Sequence, residues 1–99
     1  EAVLDYLTAN RAFLRAYAAE NLPGISLAAP EGTFLAWLDC RQSGIAGPPH
    51  KFFRRRARVA LNDGAWFGET EGRGFVRLNF ATSRSVLAEA LQRMSAALQ

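Results

Sequence analysis

Gly74-Phe75-Val76-Arg77-Leu78-Asn79-Phe80 alternates in character at every step, and the architecture follows from that alternation. Successive side chains of an extended strand leave on opposite faces. Gly74, Val76, Leu78 and Phe80 therefore share one face, and Phe75, Arg77 and Asn79 share the other. The first face is apolar and needs a cover. The second sets an arginine at mid-strand, between an aromatic ring and an amide. One covered face and one open face is the pattern of an antiparallel sheet, because parallel sheets are normally covered on both sides.

Downstream, Thr82 or Ser83 is placed to cap a last helix, on which Leu87, Ala90, Leu91, Met94 and Leu98 form an apolar stripe. Upstream, residues 68–74 are glycine-rich, and Asn62-Asp63-Gly64 reads as a turn into Ala65-Trp66-Phe67-Gly68. Residues 58–61 read as a brief strand, 50–56 as a short helix carrying Phe52 and Phe53, and 43–49 as a loose loop. Residues 25–28 and 33–39 read as strands joined by a tight turn at Pro30-Glu31-Gly32. A first helix ends near Glu20-Asn21, where Leu22-Pro23-Gly24 breaks it. The order is α-β-β-α-β-β-α with no repeat. It predicts an α+β fold: a small, largely antiparallel sheet with helices packed on one face.

On a helical wheel Val3, Leu4, Tyr6, Leu7, Phe13, Leu14, Tyr17 and Ala18 fall within one arc of about 180°. Residue 1 is Glu, the pattern is already running there, and no capping residue precedes it. The expectation is a chain truncated at its N-terminus, one domain spanning 1–99 of a larger protein.

Composition bounds the function. Of 99 residues 49% are hydrophobic and 21% charged, which excludes a disordered tail. A chain this short buries about two-thirds of its unfolded surface, enough for one core but not for the large cleft of most enzymes. A net charge of +3 with scattered arginines does not call for a nucleic-acid or membrane partner. The single Cys40 excludes an internal disulfide and a cysteine-based zinc site, and it fits a reducing, cytoplasmic compartment. No apolar run approaches the roughly 20 residues that span a bilayer, and no signal peptide is expected.

Each candidate residue has a bland reading beside a functional one. Arg77 can lie on a solvated sheet face, or it can grip a carboxylate or phosphate with its planar fork of donors. Lys51, Arg54, Arg55, Arg56 and Arg58 surround Phe52 and Phe53, as in nucleic-acid grooves with stacking platforms. Helical spacing instead turns the phenylalanines inward and leaves the charges as a solvated face. Glu71-Gly72-Arg73-Gly74 is followed by a strand, whereas a phosphate loop opens a helix, so these glycines are turn and bulge residues. His50 is the only histidine and lacks a Ser or Cys arrangement for a catalytic dyad. Cys40 ends an apolar strand as a buried structural thiol. Asn10, inside the apolar arc of the first helix, is expected to bond across to a neighbouring backbone.

Three stretches carry a resemblance. Pro30-Glu31-Gly32-Thr33-Phe34-Leu35-Ala36-Trp37-Leu38-Asp39-Cys40-Arg41 resembles the hairpin that opens the small domain of class I/II aminotransferases. Its Ala-Trp-Leu-Asp-Cys-Arg ending resembles the cystathionine β-lyase (C–S β-lyase) branch. Val59-Ala60-Leu61-Asn62-Asp63-Gly64-Ala65-Trp66-Phe67-Gly68 is similar to the same branch, as is Gly72-Arg73-Gly74-Phe75-Val76-Arg77-Leu78-Asn79-Phe80-Ala81 followed by Arg84. The resemblance runs in order along essentially the whole chain. Ser83 departs from it, standing where the family often has proline, and so does the loop around Gly47-Pro48-Pro49.

The resemblance implies the C-terminal small domain of a pyridoxal-phosphate (PLP) enzyme, which closes over an amino-acid substrate while its own large domain carries the cofactor and the Schiff-base lysine. It implies that Arg77 binds the substrate α-carboxylate. No catalytic, cofactor-binding or metal residue is expected within these 99 residues, so the chain alone should be inactive and bind no PLP. The intact protein is expected to be a homodimeric C–S β-lyase of amino-acid metabolism, and the isolated chain to self-associate. The alternatives are an aminotransferase on the same scaffold and, from another class, a basic α+β nucleic-acid-binding module. No nucleic acid and no membrane is the expectation.

Overall fold

β2 (Leu35–Asp39) and β4 (Phe75–Asn79) pair antiparallel along their length, with Ala36 opposite Leu78 and Leu38 opposite Val76. With β1 (Ser26–Ala28) beside β2 and β3 (Asn62–Asp63) beside β4, they form a four-stranded antiparallel sheet of order β1-β2-β4-β3. This computed structural model describes residues 2–30, 33–68 and 70–99. Three helices complete it: α1 (Ala2–Asn21), α2 (Pro49–Arg56) and α3 (Arg84–Ala97). A short 3-10 helix (Gly64–Phe67) connects β3 to β4.

The strand alternation works as expected. Ala36, Leu38, Val76 and Leu78 are buried and share one sheet face, and they form a single cluster with Leu14, Ala18, Phe53, Leu87, Leu91 and Met94. Because those last six residues come from α1, α2 and α3, all three helices cover the same face. The fold is α+β. Burying a leucine or phenylalanine side chain of this kind contributes about 1.5–3 kcal/mol, so this layer is the main source of stability.

Local chemistry ends the elements where breakers stand. α1 stops at Asn21, after which the Leu22 amide bonds to Ala18 and Gly24 takes a left-handed φ of 77°. Gly24 is needed there because an added Cβ would run into the Gln42 carbonyl. Ser83 caps α3, its Oγ accepting from the Val86 amide at 3.3 Å. The stripe on α3 packs inward as read, with Leu87, Leu91 and Met94 fully buried and Ala90 and Leu98 at the margin.

Four local expectations change. Residues 58–61 are not a strand: Val59 and Leu61 are buried in alternation with exposed Arg58 and Ala60, but ladder pairing starts only at Asn62. Arg58 adopts a left-handed φ of 57°, and the Val59 amide bonds back to Phe53. The chain thus leaves α2 by a reversal that keeps the next residues off the sheet edge. Asn62-Asp63, read as a turn, are instead β3 itself. Helix α2 begins at Pro49, where a proline in the first turn loses no hydrogen bond. The wide arc of α1 is narrower in fact, since Val3 and Tyr6 are exposed while the polar Asn10 is fully buried. Of the turn expected at Pro30-Glu31-Gly32, Glu31 and Gly32 lie outside the described residues.

Candidate functional site

The open face of the sheet carries Trp37, Asn62, Phe75 and Arg77. Register brings them together, since Arg77 is directly opposite Trp37 on β2 and opposite Asn62 on β3. Arg77 donates from Nε and Nη2 to Asn62 Oδ1, at 3.3 and 3.1 Å. Its guanidinium lies 4.2 Å from the centre of the Phe67 ring, and Phe67 meets Trp37 edge to face at 5.5 Å. A ring face beneath a guanidinium holds it electrostatically and fixes its plane. The Nε edge is thereby occupied and the plane set. Among the described residues the Nη1 and outer Nη2 hydrogens have no partner. Those two donors form the end-on fork that matches a carboxylate.

The 3-10 helix delivers Phe67. Asp63 starts it by accepting from the Ala65 amide at 3.0 Å, and the following loop closes with the Gly72 amide on the Gly68 carbonyl at 2.6 Å. Gly64 and Gly72 approach backbone to backbone; a Cβ on Gly64 would sit 2.5 Å from the Gly72 carbonyl oxygen. Beside this turn is a cavity of about 250 Å³ lined by Trp37, Gly64, Phe67, Glu71, Gly72 and Phe75. The glycines at 72 and 74 are turn residues, as expected, and no helix opens behind them.

A second arginine on this side is spent. Arg41 donates to Asp39 through Nε and Nη2, at 2.9 and 2.8 Å, and lies 5.0 Å from the Phe75 ring. The guanidinium hydrogen bonds hold the Asp39 carboxyl below its ordinary range. Arg41 is an internally neutralised cation.

The remaining candidates fall to their structural readings. Phe53 is fully buried, and Phe52 packs edge to face on it at 5.3 Å, so neither ring is a stacking platform. Lys51, Arg54, Arg55, Arg56 and Arg58 are exposed. His50 faces Asp63, with Nδ1 3.5 Å from Oδ2, and the Trp66 ring at 5.9 Å, which is no nucleophile pairing. Cys40 is buried, and burial pushes its thiol up to about 12. Asn10 does bond across to backbone, donating to the carbonyls of Phe80 and Thr82 at 3.1 and 2.9 Å. Arg84 donates to Asn10 from Nε, so that edge of its guanidinium is committed to the fold. Among the described residues no cluster of acidic, His or Cys side chains could hold a metal ion, and no helix is long and apolar enough to cross a membrane.

Sequence reasoning singled out Arg77 but missed its frame. Asn62 was hidden because it reads as a turn residue, and Trp37 and Phe67 become its neighbours only once strand register is known.

No protein-family profile matches the chain. Individual proteins do. The chain is 43% identical over 89 residues to the cystathionine β-lyase of Corynebacterium glutamicum, covering 85% of this chain and 23% of that protein. Among solved structures, a candidate PLP-dependent β-cystathionase from Corynebacterium diphtheriae superposes with a TM-score of 0.94 at 47% identity, over 98% of this chain and 26% of that one. A PLP-bound candidate aminotransferase from Clostridium difficile 630 superposes with a TM-score of 0.90 at 38% identity, over 100% of this chain and 26% of that one. The chain spans about a quarter of the length of the curated relatives it matches.

Proposed function

We propose, for a chain that belongs to the cystathionine β-lyase branch of the PLP-dependent aminotransferase-fold enzymes, that Arg77 holds the α-carboxylate of an amino-acid substrate. The observation that carries this reading is the geometry of the guanidinium: one edge on Asn62, one face on Phe67, and the end-on fork open. A carboxylate received there is bound by two parallel hydrogen bonds and is oriented as well as held.

In this reading residues 1–99 are the C-terminal small domain of a larger, homodimeric, cytoplasmic enzyme, and the rest of that protein covers the open sheet face. Its reaction is C–S β-elimination from cystathionine-like amino acids. PLP, when bound, supplies the electron sink that lets the α-proton leave and the β-sulfur depart. These 99 residues do not themselves fit the cofactor. Lys51 is the only lysine, and it is exposed on α2 beside arginines, whereas a Schiff-base lysine must be held against the cofactor. The chain alone is accordingly inactive and binds no PLP. Its own contribution is to fix the substrate at one end, so that the reacting carbon is presented in a single orientation.

An aminotransferase would use the same grip, and the aminotransferase neighbour keeps that reading open as the second choice. Pyruvate and ammonia from cystathionine identify the lyase; amino transfer that depends on a keto acid identifies the aminotransferase. The nucleic-acid module is disfavoured by the burial of Phe53.

The test is substrate kinetics of two variants in the full-length enzyme. Arg77→Ala is expected to lose about 10²- to 10³-fold in kcat/KM, as when one partner of a desolvated ion pair is removed. Arg55→Ala, on the exposed face of α2, is expected to change it little. Near-normal efficiency in Arg77→Ala sinks the proposal, and a large loss confined to Arg55→Ala means that the wrong cation was chosen.

A further inference from the structure

The two arginines on the open sheet face are built alike and differ in one respect. Both use the Nε–Nη2 edge for an internal partner, and both lie against an aromatic ring. Arg41 meets the carboxylate of Asp39, and a salt bridge of 2.8 Å results. Arg77 meets the amide oxygen of Asn62, and among the described residues no carboxylate is within ion-pair distance of it.

A neutral acceptor and an anionic one orient a guanidinium equally well but leave it with different charge. The carboxylate of Asp39 cancels the charge of Arg41 at contact, so a second anion would meet a neutral pair. The amide of Asn62 accepts from two donors without adding negative charge. Arg77 therefore keeps its whole positive charge while its plane and its free edge are fixed.

We infer that Asn62 is a positioning residue whose neutrality, and not only its hydrogen bond, sets the affinity and selectivity of Arg77 for a substrate carboxylate. Phe67 completes the device. Its ring occupies one face of the guanidinium, and the Asp63-capped turn holds the ring in place. An aspartate at position 62 would preserve every distance and still defeat the site, because the substrate carboxylate would compete with a resident one. This is specificity by exclusion of a like charge as well as by attraction. The inference rests on the assignment of Arg77 to the substrate carboxylate, and it is tested separately from it.

The experiment compares Asn62→Asp, Asn62→Ala and Arg77→Ala with the wild type in the full-length, PLP-loaded enzyme. Two quantities are read: KM and kcat for the amino-acid substrate, and competitive inhibition by alanine against ethylamine, which lacks the carboxylate. Asn62→Asp is expected to raise KM about tenfold or more with a much smaller change in kcat, and to erase most of the preference for alanine. Asn62→Ala frees the guanidinium without neutralising it and should raise KM by only about two- to fivefold while keeping most of that preference. A merely structural role would weaken both inhibitors equally, so an unchanged alanine-to-ethylamine ratio in Asn62→Asp overturns the inference. If Asn62→Asp does not fold, a wild-type KM and ratio in Asn62→Ala overturn it instead. If Arg77→Ala itself retains the alanine preference, the assignment of Arg77 has failed; if Arg77→Ala loses the preference and both Asn62 variants keep wild-type values, only the positioning role has failed.

Discussion

Arg84 Nε donates to Asn10 Oδ1 at 2.7 Å and so ties the first turn of α3 to the middle of α1. The same amide donates to the carbonyls of Phe80 and Thr82, which makes Asn10 the clamp on the segment between β4 and α3. That segment follows directly on the strand that carries Arg77. Asn10 is fully buried, so its three hydrogen bonds have no water to replace them. Asn10→Ala is expected to destabilise the chain by about 2–4 kcal/mol, through carbonyls left unsatisfied and a guanidinium left unpaired. Asn10→Leu keeps the branched four-heavy-atom skeleton but loses the hydrogen bonds and adds bulk, and it should lose at least as much. Urea unfolding of the three proteins checks this; wild-type stability in Asn10→Leu would show that the clamp is dispensable.

The second expectation concerns association of the 99-residue chain by itself. Val3, Tyr6 and Phe34 are exposed around a cavity of about 510 Å³ that Leu7, Ala81 and Thr82 also line. Trp66 and Phe67 are exposed as well. Apolar side chains gathered at the surface, as around that cavity, drive monomers together. Sedimentation velocity should show concentration-dependent self-association, and Phe34→Lys should shift the chain towards monomer. A single monomeric species at the highest soluble concentration would count against it.

What was legible beforehand was whatever depends on local period. β4 showed its buried face through Val76 and Leu78, α2 showed its anchor through Phe53, and α3 its stripe through Leu87, Leu91 and Met94. Asn10 was legible as well, since an amide inside an apolar arc must find partners. What failed depended on pairing between distant segments. Val59 and Leu61 alternate like strand residues but meet the core from an unpaired chain, because the left-handed turn at Arg58 holds them off the ladder. The residues that do pair, Asn62 and Asp63, have the composition of a turn. Hydrogen bonding across 15 residues then joins Asn62 to Arg77, a distance over which no short pattern operates.

The last expectation is a pH dependence that Cys40 imposes. Its side chain is buried at the end of β2, with Sγ 3.6 Å from the Leu38 carbonyl. Burial, and secondarily the negative charge of Asp39, push the thiol up to about 12 in the folded chain. An unfolded cysteine ionises at about 8.5, so above that pH the folded chain holds a proton that the unfolded chain has lost. The resulting stabilisation is fully present below the unfolded value and is lost as pH rises towards the folded one. Between about pH 9 and about pH 11 the wild type should therefore lose stability faster than Cys40→Ala, by at most about 1.4 kcal/mol for each pH unit. Other groups titrate in this range too, but they do so in both proteins and cancel in the difference. Urea midpoints measured for both across that range test the assignment, and parallel curves would mean that the thiol is not withheld from solvent as its burial implies. Alkylation gives the same answer by another route: iodoacetamide at about pH 8 should modify Cys40 only in unfolding concentrations of urea, because a buried thiol offers no thiolate to react.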